Sequence, residues 1–265
     1  VVAETKALKK RQETPDSPEA LASIPSLQIS DIPKEVSTIP SDVTTVGNTT
    51  LLTHDLFTSD VLYADVALPL TRVPARLLPL LPLFCSSLLQ MGTHTESFVE
   101  LTERIDRTAG GLSISPMIAH KPGCVEPVSL LLVRGKAMGS KVEALFELMR
   151  DILLTVKLED QARFKQMVLE AKADMEAAII GGGHSFAAGR LSAQRGVAAW
   201  ANEQMGGLDY LFYVRDLAKR VDQDWDSIRQ DLESLRQAIL ATNVRPLSLG
   251  FCLQIHCSRS EVPPQ

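Results

Sequence analysis

Residues Pro82 to Thr93 keep the frame of a helical zinc site and hold none of its ligands. In H-x-x-E-H, two imidazoles on one helical face grip the metal while the carboxylate serves as general base. Laid without gaps on P-H-x-x-E-H-x-x-L-x-G-[ST], the chain keeps Pro82, Gly92 and Thr93, and Leu89 falls one position off the pattern's Leu. The ligand positions hold Leu83, Ser86 and Ser87. Leucine has no donor atom and a neutral hydroxyl is a poor zinc ligand, so these degenerate positions predict neither metal nor hydrolytic base. What remains is a proline-flanked apolar helix suited to a core.

Other reactive residue types give equally bland readings. Gly181-Gly182-Gly183-His184 resembles a phosphate nest, yet it lacks G-x-G-x-x-G and the P-loop Lys, and no strand precedes it; the expectation is a glycine hinge between two helices. His94 and Glu96, two residues apart, would point away from each other on a helix. Asp222, Asp224 and Asp226 lack the Gly and the bidentate Glu of a calcium loop and read as acids favoured by a helix N-terminus. Cys252, His256 and Cys257 form C-x-x-x-H-C with no nearby fourth ligand. Four scattered cysteines do not make a disulfide framework; Cys85 reads as a core residue, and Cys124, beside Pro122 and Gly123, as a loop thiol open to oxidants. No G-x-S-x-G elbow occurs. The expected catalytic, cofactor-binding and metal-binding residues of this chain are therefore none.

Composition sets the remaining bounds. A chain of 265 residues with 45% hydrophobic content can bury a core in one to two domains. A formal net charge of −5, with Lys and Arg interspersed among acids, argues against a nucleic-acid surface. The most apolar stretch, Val61 to Leu89, is interrupted by Asp65, Arg72, Arg76 and four prolines, which excludes a helical membrane span there. The first residue is Val1 rather than Met, giving the expectation of a fragment or processed product whose targeting peptide is not visible.

These residues need elements to position them. Ala3 to Glu13 reads as a charged helix, and Pro15, Pro18, Pro25, Pro33 and Pro40 keep residues 14 to 42 mostly irregular, so residues 1–42 are expected to be a linker. Strands are predicted at Val43 to Val46 and Thr49 to His54 around Gly47-Asn48, then at Val61 to Leu68, Leu112 to Ile118 and Pro127 to Arg134. Helices are predicted over Pro74 to Met91, Glu96 to Thr108, Lys141 to Val156, Asp160 to Ile180, Ser185 to Gly206, Asp209 to Val221 and Trp225 to Thr242. Leu83, Phe84, Leu88, Phe146, Met149, Phe164, Trp200 and Trp225 fall on their apolar faces. The pattern predicts an α+β sandwich with helices on one sheet face and a C-terminal helical cluster. An α+β domain is expected over residues 43–243, followed by an atypical tail, 244–265.

The run Asn202-Glu203-Gln204-Met205-Gly206-Gly207-Leu208-Asp209-Tyr210-Leu211, with Val221-Asp222-Gln223-Asp224-Trp225 after it, resembles the presequence-protease branch of the pitrilysin-type, or inverzincin, zinc metallopeptidases. Ile32-Pro33-Lys34-Glu35, His54-Asp55-Leu56-Phe57-Thr58, Val133-Arg134-Gly135-Lys136 and Gly183-His184 carry the same resemblance. It extends to about Asn243 and is strongest toward plant and algal members. It implies a pitrilysin-like α/β sandwich with one mainly antiparallel sheet, one of four related units arranged as two halves around a peptide chamber. Only the first unit would hold zinc, and this chain would be the end of the inter-half linker plus the third unit.

The implied partners are a zinc-bearing catalytic half, the fourth unit and peptide substrates in the assembled chamber. The implied location is the mitochondrial matrix, the chloroplast stroma, or both. Redox sensitivity, implied by the same resemblance, would fall on Cys85 or Cys124. The implied role is a noncatalytic chamber wall and interface, inactive alone, in a metalloendopeptidase that degrades cleaved presequences and other short unstructured peptides. The alternative is a free-standing noncatalytic peptide-binding or assembly protein of the same fold. From Val244 onward the chain departs from the family pattern, and Pro263-Pro264-Gln265 stands where a fourth unit would begin.

Overall fold

The computed structural model describes residues 2–47, 49–124, 126–241 and 252–257, the last of these by backbone alone. Two compact units divide the chain, Val1–Ile39 and Pro40–Gln265. In the first, helices α1 (Val2–Glu13) and α2 (Pro18–Ala22) bury no residue. The α2 start follows from local chemistry: Pro18 fits the first turn, where its missing N–H costs nothing, and the Ser17 hydroxyl accepts from Ala20 N at 3.2 Å.

The second unit is built on a mixed sheet of β1 (Asp42–Val46), β2 (Thr49–Asp55), β3 (Val61–Pro69), β4 (Gly111–Ala119), β5 (Val128–Met138) and β6 (Cys252–Cys257). The order is β1-β2-β6-β3-β5-β4, and every neighbouring pair is antiparallel except β2 with β6. Period-2 alternation sets the register. Leu62, Ala64, Leu131, Val133, Ile114 and Ile118 are buried in the core, while Tyr63, Arg134 and Lys136 between them are exposed. Asp65 lies opposite Arg134, and their side chains pair at 3.2 Å. Gly47 turns the β1–β2 hairpin at φ 62°; its predicted partner Asn48 lies outside the described residues.

Strand β6 corrects the expected domain limit. The sequence reading ends the domain at 243, yet the backbone of residues 252–257 runs between β2 and β3, with Leu253 in register with Leu51 and Val66. Leu253-Gln254-Ile255-His256 carries the apolar–polar alternation of a half-buried strand, a signal that departure from the family pattern obscured. The other tail readings, including the departure from Val244 and the final Pro263-Pro264-Gln265, lie outside the described residues, as does the predicted helix end at Thr242.

Helices α3 (Leu81–Gln90), α4 (Phe98–Thr108), α5 (Val142–Thr155), α6 (Gln161–Ala193), α7 (Val197–Gly206), α8 (Leu208–Arg220) and α9 (Trp225–Leu240) complete the unit. Each buried stripe follows helical spacing: Leu145, Leu148, Met149 and Ile152 on α5, and Ile228, Leu232, Leu235 and Ile239 on α9. Helix α4 opens on a capping box of Ser97 and Glu100, and α6 on Asp160, whose carboxylate accepts from Arg163 N at 2.9 Å. The α+β architecture with a C-terminal helical cluster is the one the sequence pattern predicts.

Two expectations fail locally. The glycine triplet does not end a helix: α6 runs on to Ala193, with only Gly182 leaving helical dihedrals (φ −112°, ψ 15°), and the chain breaks instead at Gly196. One residue's departure bends a ladder without cutting it. Trp200, expected in the core, is 39% exposed on α7, because Ala201 and Met205 take that helix's inward positions. Phe146 and Trp225 pack on the core only in part, whereas Leu83, Phe84, Leu88, Met149 and Phe164 are buried.

Phe164 is fully buried, and its ring lies 5.5 Å from that of Trp225, joining the first turns of α6 and α9. Phe164→Ala is expected to cost ~3–5 kcal/mol in denaturant unfolding, the range for emptying a phenylalanine site that cannot collapse. An unchanged midpoint would show that this joint is not part of the core.

Candidate functional site

Helix α3 carries the three positions where ligands would stand. It has no exposed residue, and Leu83 and Ser87 are buried. Its hydroxyls are turned back on the helix: Ser87 Oγ donates to Leu83 O at 2.8 Å and Ser86 Oγ donates to Pro82 O at 3.2 Å. Such i−4 bonds satisfy a buried hydroxyl without offering it to a ligand.

Leu83 and Ser86 border a cleft of about 190 Å³, with Glu170 and Asp174 of α6 and Tyr210 of α8 also on its wall. Its side chains supply two carboxylates and no imidazole or thiolate, and among the described residues no group of three or more His, Cys, Asp or Glu could hold a metal. The donor set does not fit catalytic zinc, which takes three protein ligands. Burial pushes the Tyr210 hydroxyl up to about 12 and the Cys85 thiol up to about 12. Neither is a nucleophile or an anionic ligand at neutral pH.

The motif residues that persist have structural work. Gly92 follows α3 in a turn so close that an added Cβ would collide with Glu96 O. Thr93 Oγ1 accepts from Glu96 N at 3.0 Å, and Thr93 bridges to Val156 while Lys157 N donates to Gly92 O at 2.8 Å. The turn thus fastens the end of α3 to the end of α5. Arg104 braces it, reaching Glu96 at 3.1 Å and Asp151 at 2.8 Å, and its hydrogen bond holds the Asp151 carboxyl below the usual carboxylate range. His94 and Glu96 make no ligand pair, because Glu96 is engaged by Arg104.

The other singled-out groups disperse in the same way. Asp222 pairs with Lys165 at 2.6 Å, Asp224 with Arg220 at 4.0 Å and Asp226 with Arg229 at 3.9 Å. His184 is an exposed residue within α6 and not at a helix start. Cys124 is exposed on its loop. Cys252, His256 and Cys257 fall on β6, of which the backbone alone is described.

One polar site escaped the sequence reading. Glu203 is 4% exposed, yet its Oε1 accepts from Leu208 N at 2.9 Å, from Asp209 N at 3.4 Å and from Arg190 Nη1 at 3.2 Å. The carboxylate caps the N-terminus of α8 from the preceding helix, where peptide dipoles favour negative charge. Arg190 also pairs with Asp209, and Gln204 Nε2 donates to Asp209 Oδ2 at 2.7 Å. An added Cβ on Gly207 would overlap the Glu203 carboxylate, so the Gly-Gly step exists to let a buried acid reach the next helix. An acid closing one helix, paired glycines and an acid opening the next was the available signal.

A family model described as "Peptidase M16-C associated" matches residues 1–217. The chain is 46% identical over 239 residues to "Presequence protease 1, chloroplastic/mitochondrial" of Arabidopsis thaliana, covering 90% of this chain and 22% of that protein. It is 30% identical to "Protein HypA" of Clostridium perfringens, covering 90% of this chain and 24% of that protein. With "Presequence protease, mitochondrial" of Schizosaccharomyces pombe it shares 27% identity, covering 95% of this chain and 25% of that one. The chain therefore spans about a quarter of the length of these curated relatives. A crystal structure of a conserved protein from Enterococcus faecalis V583 matches in fold alone, with TM-score 0.52 and 12% identity over 82% of this chain and 48% of that chain.

Two outcomes follow from the geometry. Residue-resolved alkylation of the native protein at neutral pH should label Cys124 and leave Cys85 unmodified until unfolding; equal labelling would contradict the burial of α3. Gly207→Ala should destabilise the protein by about 1–3 kcal/mol through overpacking against Glu203. Gly206→Ala, whose added Cβ meets nothing within 4 Å, should leave the unfolding midpoint unchanged or slightly raised.

Proposed function

Because this chain belongs to the "Peptidase M16-C associated" family, we propose that it is a noncatalytic wall and interface unit of a zinc metalloendopeptidase that degrades cleaved presequences and other short unstructured peptides. The observation that carries this reading is the state of α3: Leu83, Ser86 and Ser87 stand at the ligand positions, and both hydroxyls are spent on their own helix. Zinc then belongs to a different unit of the complete enzyme. Residues 1–42 serve as the end of the linker between halves, and residues 43–243 as the core of the noncatalytic unit. The printed names of the relatives from Arabidopsis thaliana and Schizosaccharomyces pombe support a chloroplast or mitochondrial location.

The exposed surface supports an interface role. Ile180, Leu191, Val197 and Phe212 are 89%, 66%, 57% and 58% exposed along α6, α7 and α8. Apolar side chains gathered on neighbouring elements mark surfaces that another protein body covers. A zinc-bearing catalytic half and a fourth unit are the proposed partners, and peptides occupy the chamber they would enclose.

Purified chain is expected to contain no stoichiometric zinc by elemental analysis and to leave a fluorogenic peptide uncut. Co-expressed with the zinc-bearing half of a plant presequence protease, it should co-elute with that half in size-exclusion chromatography. Chelator-sensitive cleavage by a clean preparation would overturn the noncatalytic role. A monomer that ignores the catalytic half and binds peptides by itself would favour the free-standing binding protein.

A further inference from the structure

The distal part of α6, beyond its bend at Gly182, stands off the body of the unit. Between Gly182 and Ala193 only Gly182, Phe186, Gly189 and Ala193 are even half-buried. Between this arm and α7 lies a cleft of about 460 Å³, lined by Ser185, Phe186, Gly189, Ala199, Asn202 and Glu203 among others. That space exceeds the roughly 30 Å³ share of a water molecule by an order of magnitude, so it can take a side chain. Its walls are mostly apolar, and small residues on both helices keep it open.

One polar atom makes this cleft more than a gap. Glu203 is 4% exposed, and its three hydrogen bonds from Leu208 N, Asp209 N and Arg190 all end on Oε1. Oε2 receives none from any described residue, and it faces the space beside Gly189, whose added Cβ would stand 3.6 Å from it. A buried carboxylate oxygen with no donor is costly unless a ligand supplies one. Arg190 is shared between Glu203 and Asp209, leaving one positive charge against two negative ones.

We propose that this cleft binds the side chain of a lysine carried by an extended peptide that is not part of this chain. The four-carbon stem of lysine suits the apolar walls, and its ammonium is a compact donor that a single oxygen can accept. Arginine fits less well, since its fork is matched by two carboxylate oxygens and Oε1 is already taken. The inference stands on the cleft alone, whether or not the chain is a wall unit of a peptidase.

Titration of 15N-labelled chain with the blocked peptide acetyl-Ala-Ala-Lys-Ala-Ala-amide tests it, read at the backbone amides of Gly189, Gly206, Gly207 and Leu208. Saturable shifts are expected, with binding about tenfold weaker or worse when norleucine replaces lysine, because the charge-assisted bond is lost. Gly189→Ala should abolish the shifts while keeping or raising the melting temperature, since its methyl covers Oε2 in ordinary contact and alanine favours the helix. Glu203→Gln should lose the preference for lysine over norleucine. No saturable shift, equal binding of the norleucine peptide, or binding that survives Gly189→Ala would overturn the site. Equal binding of the arginine peptide would overturn its assignment to lysine.

Discussion

Burial of α3 on every side is the constraint on which the larger unit depends. Leu81, Leu83, Phe84, Cys85, Ser87 and Leu88 are all buried, and the helix touches β4, α4, α5, α6 and α9. A zinc helix must leave one face open to donors, water and substrate. This helix has closed that face. Its two hydroxyls survive inside because each donates to the carbonyl one turn back, and the Cys85 thiol stays protonated because no charge beside it repays desolvation. The frame of a metal site is thus retained as packing, and the chemistry is gone from it.

Around that helix the joints are polar, local and economical. The Gly92-Thr93 turn, braced through Arg104, fixes the exit of α3 to α5. Glu203, set against the bare backbone of Gly207, fixes the exit of α7 to α8. In both joints a glycine permits a close approach that a side chain would block. The distal arm of α6 lacks comparable packing and is tied down through Arg190 to Glu203 and Asp209. Rigid joints at the core and a lightly packed arm at the surface suit a unit whose exposed helices meet other bodies while its core does no chemistry.

Much of this was legible in the sequence. Alternation placed β3, β4 and β5, and the i, i+4, i+7 stripes of α5 and α9 gave their buried faces because one element's period decides them. What failed were decisions made by tertiary neighbours. Trp200 faces outward because Ala201 and Met205 already fill the inward positions of α7. The glycine triplet bends α6 without ending it, since Gly182 alone changes its dihedrals. Strand β6 was lost because its pairing partners lie some two hundred residues earlier in the chain. Glu203 was quoted within a family motif, yet its capping of α8 depends on where Gly207 and Arg190 meet in space. The missing zinc ligands, by contrast, were plain at Leu83, Ser86 and Ser87, where residue type alone decides coordination.

Native-state hydrogen exchange of the α3 amides, measured with and without excess zinc, tests the central claim most directly. A helix that is the closed centre of the core should exchange at Phe84 to Leu88 only through global unfolding, with the same opening free energy as denaturant unfolding and no response to the metal. Exchange through a smaller, local opening, or protection that rises when zinc is added, would contradict the account and show that the face of α3 is still a site.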